Sequence, residues 1–163
     1  MRLYVIRHAP AEERGPAFPD DELRPLSDDG AERMVEIARG LRQVITGVDE
    51  LWSSPLLRAT QTADILLKHL AAPSEYQLAD ALRPEALPAD VLPVLAASRG
   101  TAAIVGHEPH LGRTVTFFLT GQANMPVLEL KKGAVAAIQF PGRAEPGAGT
   151  LAFLLPPRAL RGR

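Results

Sequence analysis

Two histidines follow two short apolar runs of the sequence at the same relative position. Arg7 and His8 come directly after the apolar run that opens the chain, and His107 follows another run at 102–106. If both runs are adjacent parallel strands, both histidines lie at the carboxyl edge of the sheet, where open α/β sheets bind ligands. With Arg58 supplied by a helix, this pattern predicts a pocket for one phosphoryl group, built around a histidine nucleophile.

These residue types suit phosphoryl transfer. An unperturbed imidazole has a pKa of about 6.5, so much of it is neutral and nucleophilic at pH 7. The transition state spreads negative charge over three oxygens, and catalysis therefore depends on cationic donors held in place. Arg7, Arg58 and His107 are candidates for these donors, and an arginine fork stays charged while it binds two oxygens at once.

The length of 163 residues fits one domain, which we place over 1–155, followed by a C-terminal tail over 156–163. The basic residues Arg158, Arg161 and Arg163 fall in this tail and are expected to be solvated. The chain contains no cysteine, which excludes disulfides, thiolate metal sites and cysteine-based phosphatase mechanisms.

Charge and hydropathy exclude other classes of protein. The 18 basic and 19 acidic residues nearly cancel, whereas a nucleic-acid binder of this size normally has a basic face. No apolar run approaches the roughly 18 residues of a membrane span, and no secretory segment precedes the first strand. We therefore expect a soluble cytoplasmic protein with no nucleic-acid or membrane partner, and leave its oligomeric state open.

Apolar periodicity predicts alternating strands and helices, with Ser27 and Ser54 as N-caps of the first two helices. The last third of the chain contains apolar runs separated by turn residues, which is typical of hairpin strands. The predicted fold is a three-layer α/β sandwich with a mostly parallel central sheet and an antiparallel edge. The predicted strands are 2–6, 50–53, 76–78, 101–105, 128–130, 134–140 and 150–155, and the predicted helices are 28–45, 55–70, 88–98 and 109–119.

Three stretches carry a family resemblance that covers residues 1 to about 140. They are Arg7-His8-Ala9, the segment SSPLLRATQTA at 53–63, and Val105-Gly106-His107. Together they resemble the histidine phosphatase superfamily, which has the phosphoglycerate-mutase-like fold. The short chain, the segment RPLS at 24–27 and the segment GHEP at 106–109 are similar to the SixA-type phosphohistidine phosphatase branch.

The resemblance implies a role for each matching residue. His8 would be phosphorylated transiently, while Arg7, Arg58 and His107 would hold the phosphoryl oxygens. Arg24 would reach the phosphate from the loop that precedes the first helix. The reaction would need no metal and no cofactor.

The sequence departs from the family pattern at two points. Ala9 replaces the usual glycine, and its small side chain is compatible with the site unless the position needs a positive φ. Many relatives also carry a general-acid glutamate after the third strand, followed by glycines. Here the segment 80–85 reads DALRPE without those glycines, so Glu85 is the best candidate for the proton donor, Asp80 is the second candidate, and water is the remaining alternative.

A weakened general acid favours a substrate with a P–N bond. An alkoxide leaving group needs a proton during cleavage, whereas the imidazole of a phosphohistidine is a better leaving group after easy protonation. The leading hypothesis is thus a metal-independent phosphatase that acts on protein phosphohistidine, for example on a histidine-containing phosphotransfer domain. The alternatives are a phosphomonoesterase for a small phosphate ester and a non-catalytic phosphohistidine-binding module.

A mutase activity and a metal site are less compatible with the sequence. A mutase must exclude water from its phosphoenzyme, and this chain has little length for a lid. His107 and His110 have the spacing of a metal-binding pair, but the sequence offers no third ligand nearby, and we expect no metal site.

Overall fold

The computed structural model describes residues 1–124 and 126–162 of the chain. Six strands form one mixed sheet, and helices cover both of its faces. The strands are β1 (Arg2–Arg7), β2 (Glu50–Ser53), β3 (Gln77–Leu78), β4 (Thr101–Gly106), β5 (Val135–Gln139) and β6 (Thr150–Leu155). The α-helices are α1 (Asp28–Leu41), α2 (Leu57–His69), α3 (Val91–Leu95), α4 (His110–Thr120) and α5 (Pro157–Leu160).

The strand order across the sheet is β3-β2-β4-β1-β5-β6. β3, β2, β4 and β1 are parallel to one another, while β5 runs antiparallel to both β1 and β6. The predicted fold class, an α/β sandwich with a mostly parallel sheet and an antiparallel edge, is confirmed. β1 and β4 are neighbours, as the argument about the two histidines requires.

Buried side chains of β1 alternate between two apolar cores. Tyr4 and Ile6 face a core that includes residues of α1 and α2, such as Met34. Leu3 and Val5 face the other core, which α3 and α4 cover. Because successive strand residues point to opposite faces, a sheet covered on both sides requires this continuous apolar run.

α1 begins where the sequence predicts and ends earlier. The Ser27 side chain accepts a hydrogen bond from the Gly30 amide and caps the helix, as expected. The helix ends at Leu41 and not at residue 45, because the chain tightens into a turn in which the Val44 amide donates to the Leu41 carbonyl.

Two other predicted elements differ from the structure, one in its extent and one in its type. The helix predicted over 88–98 is a 3-10 turn at Pro88–Asp90 followed by the single short α3. The run 128–130 is not a strand. Its Leu130 amide donates to the Glu108 carboxylate and its carbonyl accepts from Arg7, so side chains take the backbone groups that a ladder would use.

The C-terminal residues differ from the solvated tail that we expected over 156–163. α5 packs on α1, and the Leu160 side chain is buried. Arg161 forms an ion pair with Glu36 of α1, Arg158 is exposed, and Arg163 lies outside the described residues. Burial of the apolar Leu160 side chain stabilises the docking of this segment, which its prolines and arginines did not indicate. The division into a domain over 1–155 and a tail stays a prediction.

No helix among the described residues is both long enough and apolar enough to cross a membrane.

Candidate active site

His8 and His107 lie side by side because of the register between β1 and β4. Arg7 pairs with Gly106 at the ends of the two parallel strands, so the next residue of each strand is a histidine. The His8 amide also donates to the Gly106 carbonyl. The centroids of the two imidazole rings are 5.0 Å apart. The sequence prediction that these two histidines meet at the carboxyl edge of the sheet is confirmed.

The backbone fixes the tautomer of His8. Its Nδ1 atom lies 2.6 Å from the carbonyl oxygen of Ala9. A carbonyl only accepts hydrogen bonds, so Nδ1 carries the proton and Nε2 keeps its lone pair. The pKa of His8 is lowered to about 3, mainly by burial and in addition by the charges of Arg58 and Arg7, against the opposing effect of the Ala9 bond. His8 is therefore neutral and oriented at pH 7, with the lone pair of Nε2 available.

The hydroxyl group of Ser54, the residue directly after β2, orients His107. The Nε2 atom of His107 and the Oγ atom of Ser54 lie 2.8 Å apart and share a hydrogen bond. Burial lowers the pKa of His107, and the neighbouring His8 and Arg58 lower it further. The expectation that Ser54 caps a helix was wrong, because α2 begins only at Leu57.

Arg58 lies in the first turn of α2 and is almost fully buried, with 3% of its surface exposed. Its Nη1 atom donates to the carbonyl of Asp21 at 2.8 Å, and its Nη2 atom donates to the Asp21 carboxylate at 3.1 Å. These two contacts fix the plane of the guanidinium group. The structure thus brings Arg58 to the histidines, as predicted.

Asp21 joins three arginines, which the sequence analysis did not predict. Its carboxylate accepts hydrogen bonds from Arg14 and Arg24, each at 2.9 Å, in addition to the bond from Arg58. Burial acts to raise the pKa of Asp21, but the hydrogen bond from Arg24 and the charges of these arginines lower it overall. The segment between β1 and α1 therefore folds back over the site and places Arg24 at the pocket.

Arg7 is held by the segment between α4 and β5. Its Nη1 atom donates to the Leu130 carbonyl at 2.6 Å and lies 3.7 Å from the carboxylate of Glu129. The Leu130 amide in turn donates to Glu108, whose second oxygen accepts from the Gly112 amide. Burial raises the pKa of Glu108 while these two amides lower it less. Glu108, which the sequence analysis did not assign, thus supports Arg7 through one backbone step.

Gly133 makes the turn that presents Lys132 to the site. Its φ of 82° lies in the left-handed region, which favours glycine. Its amide donates to the carbonyls of both Arg7 and His8, so the turn packs directly against the backbone of these residues.

These residues enclose a pocket of about 150 Å³. Its wall contains five cationic side chains and one carboxylate, which belongs to Glu108. Three buried nitrogen atoms here have no hydrogen-bond partner among the described residues: Nε of Arg7, Nε of Arg58 and Nδ1 of His107. Because buried donors are costly when unpaired, this donor set suits an anion. The residues that line the pocket are Arg7, His8, Arg14, Arg24, Arg58, Pro84, His107, Glu108 and Lys132.

The structure does not bring the expected proton donors to this pocket. Glu85 is exposed, and only its neighbour Pro84 belongs to the pocket wall. Asp80 is also exposed and forms an ion pair with Arg83, which pairs with Glu22 as well. A proton-donating role for Glu85 stays a prediction that this geometry does not favour.

Two other expectations concern Ala9 and metals. No non-glycine residue of the described chain has a positive φ, so alanine fits at position 9 without strain. Among the described residues, no group of histidine, aspartate and glutamate side chains has an arrangement that could hold a metal ion.

Comparison with known proteins places this geometry in a family. Residues 3–85, just over half of the chain, match the histidine phosphatase superfamily, branch 1. The chain belongs to this superfamily. A protein of Picosynechococcus sp. without an assigned function is 33% identical over 143 residues, which cover 85% of each chain. Membership confirms the expected class of enzyme, a phosphatase.

Solved structures share the fold over nearly the whole chain. The protein histidine phosphatase SixA in complex with tungstate superposes with a TM-score of 0.83, at 23% identity and with 98% and 99% of the two chains covered. A mycobacterial glucosyl-3-phosphoglycerate phosphatase gives 0.70 at 16% identity, covering 93% of this chain and 96% of that one. A phosphoserine phosphatase of Entamoeba histolytica gives 0.61 at 16% identity, covering 94% and 95%. The phosphoglycerate-mutase-like fold is thereby confirmed.

Proposed function

We propose that this phosphatase hydrolyses phosphohistidine on a protein through a phosphohistidine intermediate at its own His8, without a metal ion. The observation that carries the proposal is the bond between His8 Nδ1 and the Ala9 carbonyl. It leaves Nε2 as the nucleophile in a pocket whose other wall residues are mostly cationic. The neutral state of His8 removes the need for a separate base to activate it.

The reaction consists of two displacements at phosphorus. In the first, Nε2 of His8 attacks phosphorus, the P–N bond of the substrate breaks, and the substrate imidazole leaves with a proton from solvent. In the second, a water molecule attacks, the P–N bond to His8 breaks, and inorganic phosphate leaves. Nδ1 of His8 keeps its proton on the Ala9 carbonyl through both steps, and the second step frees Nε2 again.

The cationic groups stabilise the charge on the equatorial oxygens in both steps. Arg7 and Arg58 are held by the Leu130 carbonyl and by Asp21, and keep an unpaired Nε each. His107 donates from Nδ1 when its Nε2 accepts from the Ser54 hydroxyl. Arg24 adds charge from the loop. These groups supply the electrostatic work that a metal ion performs in other phosphatases.

The placement of carboxylates supports a P–N substrate over a phosphate ester. Glu85 is exposed and outside the pocket wall. Glu108 lies in the wall, and burial raises its pKa, but each of its oxygens accepts a hydrogen bond from a backbone amide, which favours the ionised carboxylate over a proton donor. Hydrolysis of an ester would therefore lack a general acid for its leaving group. General-acid catalysis contributes about 10²-fold to 10⁴-fold to the rate of such a step. The fold likeness to SixA agrees with this preference.

A substrate comparison tests the proposal. We expect kcat/KM for a phosphohistidine peptide to exceed that for phosphoserine, 3-phosphoglycerate and p-nitrophenyl phosphate by more than about 100-fold. A clear preference for one sugar or glycerate phosphate would assign the protein to the small-molecule phosphomonoesterases instead. Tight binding of a stable phosphohistidine analogue without turnover of any substrate would identify a binding module.

A further inference from the structure

A second cleft adjoins the pocket that contains His8, which we call the phosphate pocket, and is lined by cations. It has a volume of about 250 Å³, and its rim contains Arg33, Lys131, Lys132, Arg158 and Arg161. Lys132 also belongs to the wall of the phosphate pocket, so the two depressions share a side chain. Among the described residues, none of those that line this cleft carries a carboxylate.

The charges on this rim are only partly balanced. Arg33 forms an ion pair with Asp29, and Arg161 forms one with Glu36. Lys131, Lys132 and Arg158 are exposed and have no ion pair or hydrogen bond from their side chains within the described part of the chain. The cleft therefore carries three uncompensated positive charges, although the protein as a whole has a net charge of −1.

The rim is held in place by the two segments that meet there. Lys131 and Lys132 lead into the turn at Gly133, whose amide is anchored on the carbonyls of Arg7 and His8. Arg158 belongs to α5, which the buried Leu160 docks on α1. Ile37 of α1 contributes to the floor between these segments. A rigid cleft with an apolar floor and a cationic rim can bind an extended, acidic stretch of polypeptide.

We infer that this cleft docks an acidic segment of the phosphoprotein substrate beside the phosphohistidine. The inference rests on the proposed function, because it places the protein part of that substrate next to the phosphate pocket. A segment that leaves the phosphate pocket past Lys132 enters the cleft whose rim contains Lys131 and Arg158. Complementary charge here raises the rate of encounter and selects among phosphoproteins.

The features of the cleft favour an acidic polypeptide over a nucleic acid. Nucleic-acid binding normally depends on a basic stripe that tracks many phosphates, in a protein of high positive charge. This cleft offers three free cations around prolines and Ile37, in a chain whose basic and acidic residues nearly cancel.

Charge reversal away from the phosphate pocket tests the inference. The test variant is K131E/R158E, since neither residue lines the phosphate pocket. The matched control is R99E/R143E, which makes the same change in charge at exposed positions. Arg99 precedes β4 and Arg143 follows β5, so both lie at the end of the sheet away from His8. The substrates are a phosphohistidine peptide with glutamates on both sides, the same peptide with neutral residues there, and phosphoramidate, which has a P–N bond but no peptide.

We expect the wild type and the control to prefer the acidic peptide about tenfold in kcat/KM, mainly through KM, and to lose this preference at about 0.5 M salt. The test variant should turn over both peptides equally and should hydrolyse phosphoramidate at the wild-type rate. The milder variant K131A/R158A should show an intermediate preference, which covers the case in which charge reversal disturbs folding.

Three results would overturn the inference. They are no preference for the acidic peptide in the wild type, an unchanged preference in both test variants, and stronger competition by a uridine oligonucleotide than by the acidic peptide. Binding of the same peptides with a stable phosphohistidine analogue, measured by fluorescence anisotropy, separates this inference from the proposed function. If none of the P–N substrates is hydrolysed while binding keeps the acidic preference, the proposed substrate is wrong and the docking surface stands.

Discussion

The imidazole rings of His8 and His107 lie 5.0 Å apart because the two residues extend strands that are paired in register. Each ring makes a hydrogen bond that orients it, His8 with the Ala9 carbonyl and His107 with the Ser54 hydroxyl. The orientation of both rings therefore depends on the ends of three neighbouring parallel strands. A site built in this way needs no movement of a loop to place the two rings.

Truncation of Arg58 tests the cationic half of the site. Arg58→Ala should lower kcat/KM for a phosphohistidine peptide by about 10²-fold to 10³-fold, the usual effect of removing one donor from a developing anion. Arg58→Lys should recover only part of this loss, since an ammonium group cannot make both contacts with Asp21. Steady-state kinetics give the answer, and activity near that of the wild type in Arg58→Ala would remove this residue from the site.

The hydroxyl of Ser54 should matter through His107. Ser54→Ala removes the hydrogen bond that orients the ring, and the loss of about 1 kcal/mol corresponds to about a fivefold lower kcat with little change in KM. Ser53→Ala is the matched control, because the neighbouring Ser53 is equally buried and its hydroxyl donates to the Ser54 carbonyl and not to His107. Equal effects of the two substitutions on kcat would mean that Ser54 acts only through packing.

Glu108 should act through the position of Arg7 and not as a proton donor. A glutamine offers one carbonyl oxygen where two backbone amides need acceptors, so Glu108→Gln should lower the free energy of unfolding by about 1–3 kcal/mol. KM should rise a few-fold, with kcat largely kept. A loss of kcat that is much larger for phosphate esters than for phosphohistidine would instead identify Glu108 as a general acid.

Stability should depend on pH through the two buried histidines. The folded-state pKa of His8 is about 3, against 6.5 for an ordinary histidine, and that of His107 is lowered as well. The unfolded chain then binds more protons, so the stabilisation is complete above pH 6.5 and is lost as the pH falls from 6.5 toward 3. Each histidine contributes a slope of at most about 1.4 kcal/mol per pH unit.

Thermal unfolding between pH 6.5 and about 4.5 measures this slope before most carboxylates titrate. His8→Asn should reduce the fall in Tm over this range relative to the wild type. Equal pH dependence in the two proteins would show that His8 titrates normally in the folded state.

Much of the site could be predicted from the sequence because its residues are tied to regular elements. His8 and His107 follow apolar runs whose pairing is dictated by burial, and Arg58 lies just inside a helix that follows β2. In each case local periodicity determines where the element ends, and the end determines where the side chain lies.

The residues that were missed act over long separations or in irregular segments. Asp21, in a short 3-10 helix of an otherwise irregular segment, accepts a hydrogen bond from Arg58, which is 37 positions away. Ser54 has the sequence features of a helix cap, and only the position of His107 shows its use. The run 128–130 has the pattern of a strand, but Glu108 and Arg7 take the backbone groups of Leu130. Local pattern cannot reveal such tertiary contacts.

The most direct test of the account is the detection of the phosphoenzyme. The protein is mixed with a phosphohistidine peptide that carries labelled phosphate, quenched within one turnover, and mapped by mass spectrometry. We predict an acid-labile, base-stable label on His8, absent from His8→Ala and present at reduced level in Arg58→Ala. A label that persists in His8→Ala, or turnover without any labelled enzyme, would contradict the account.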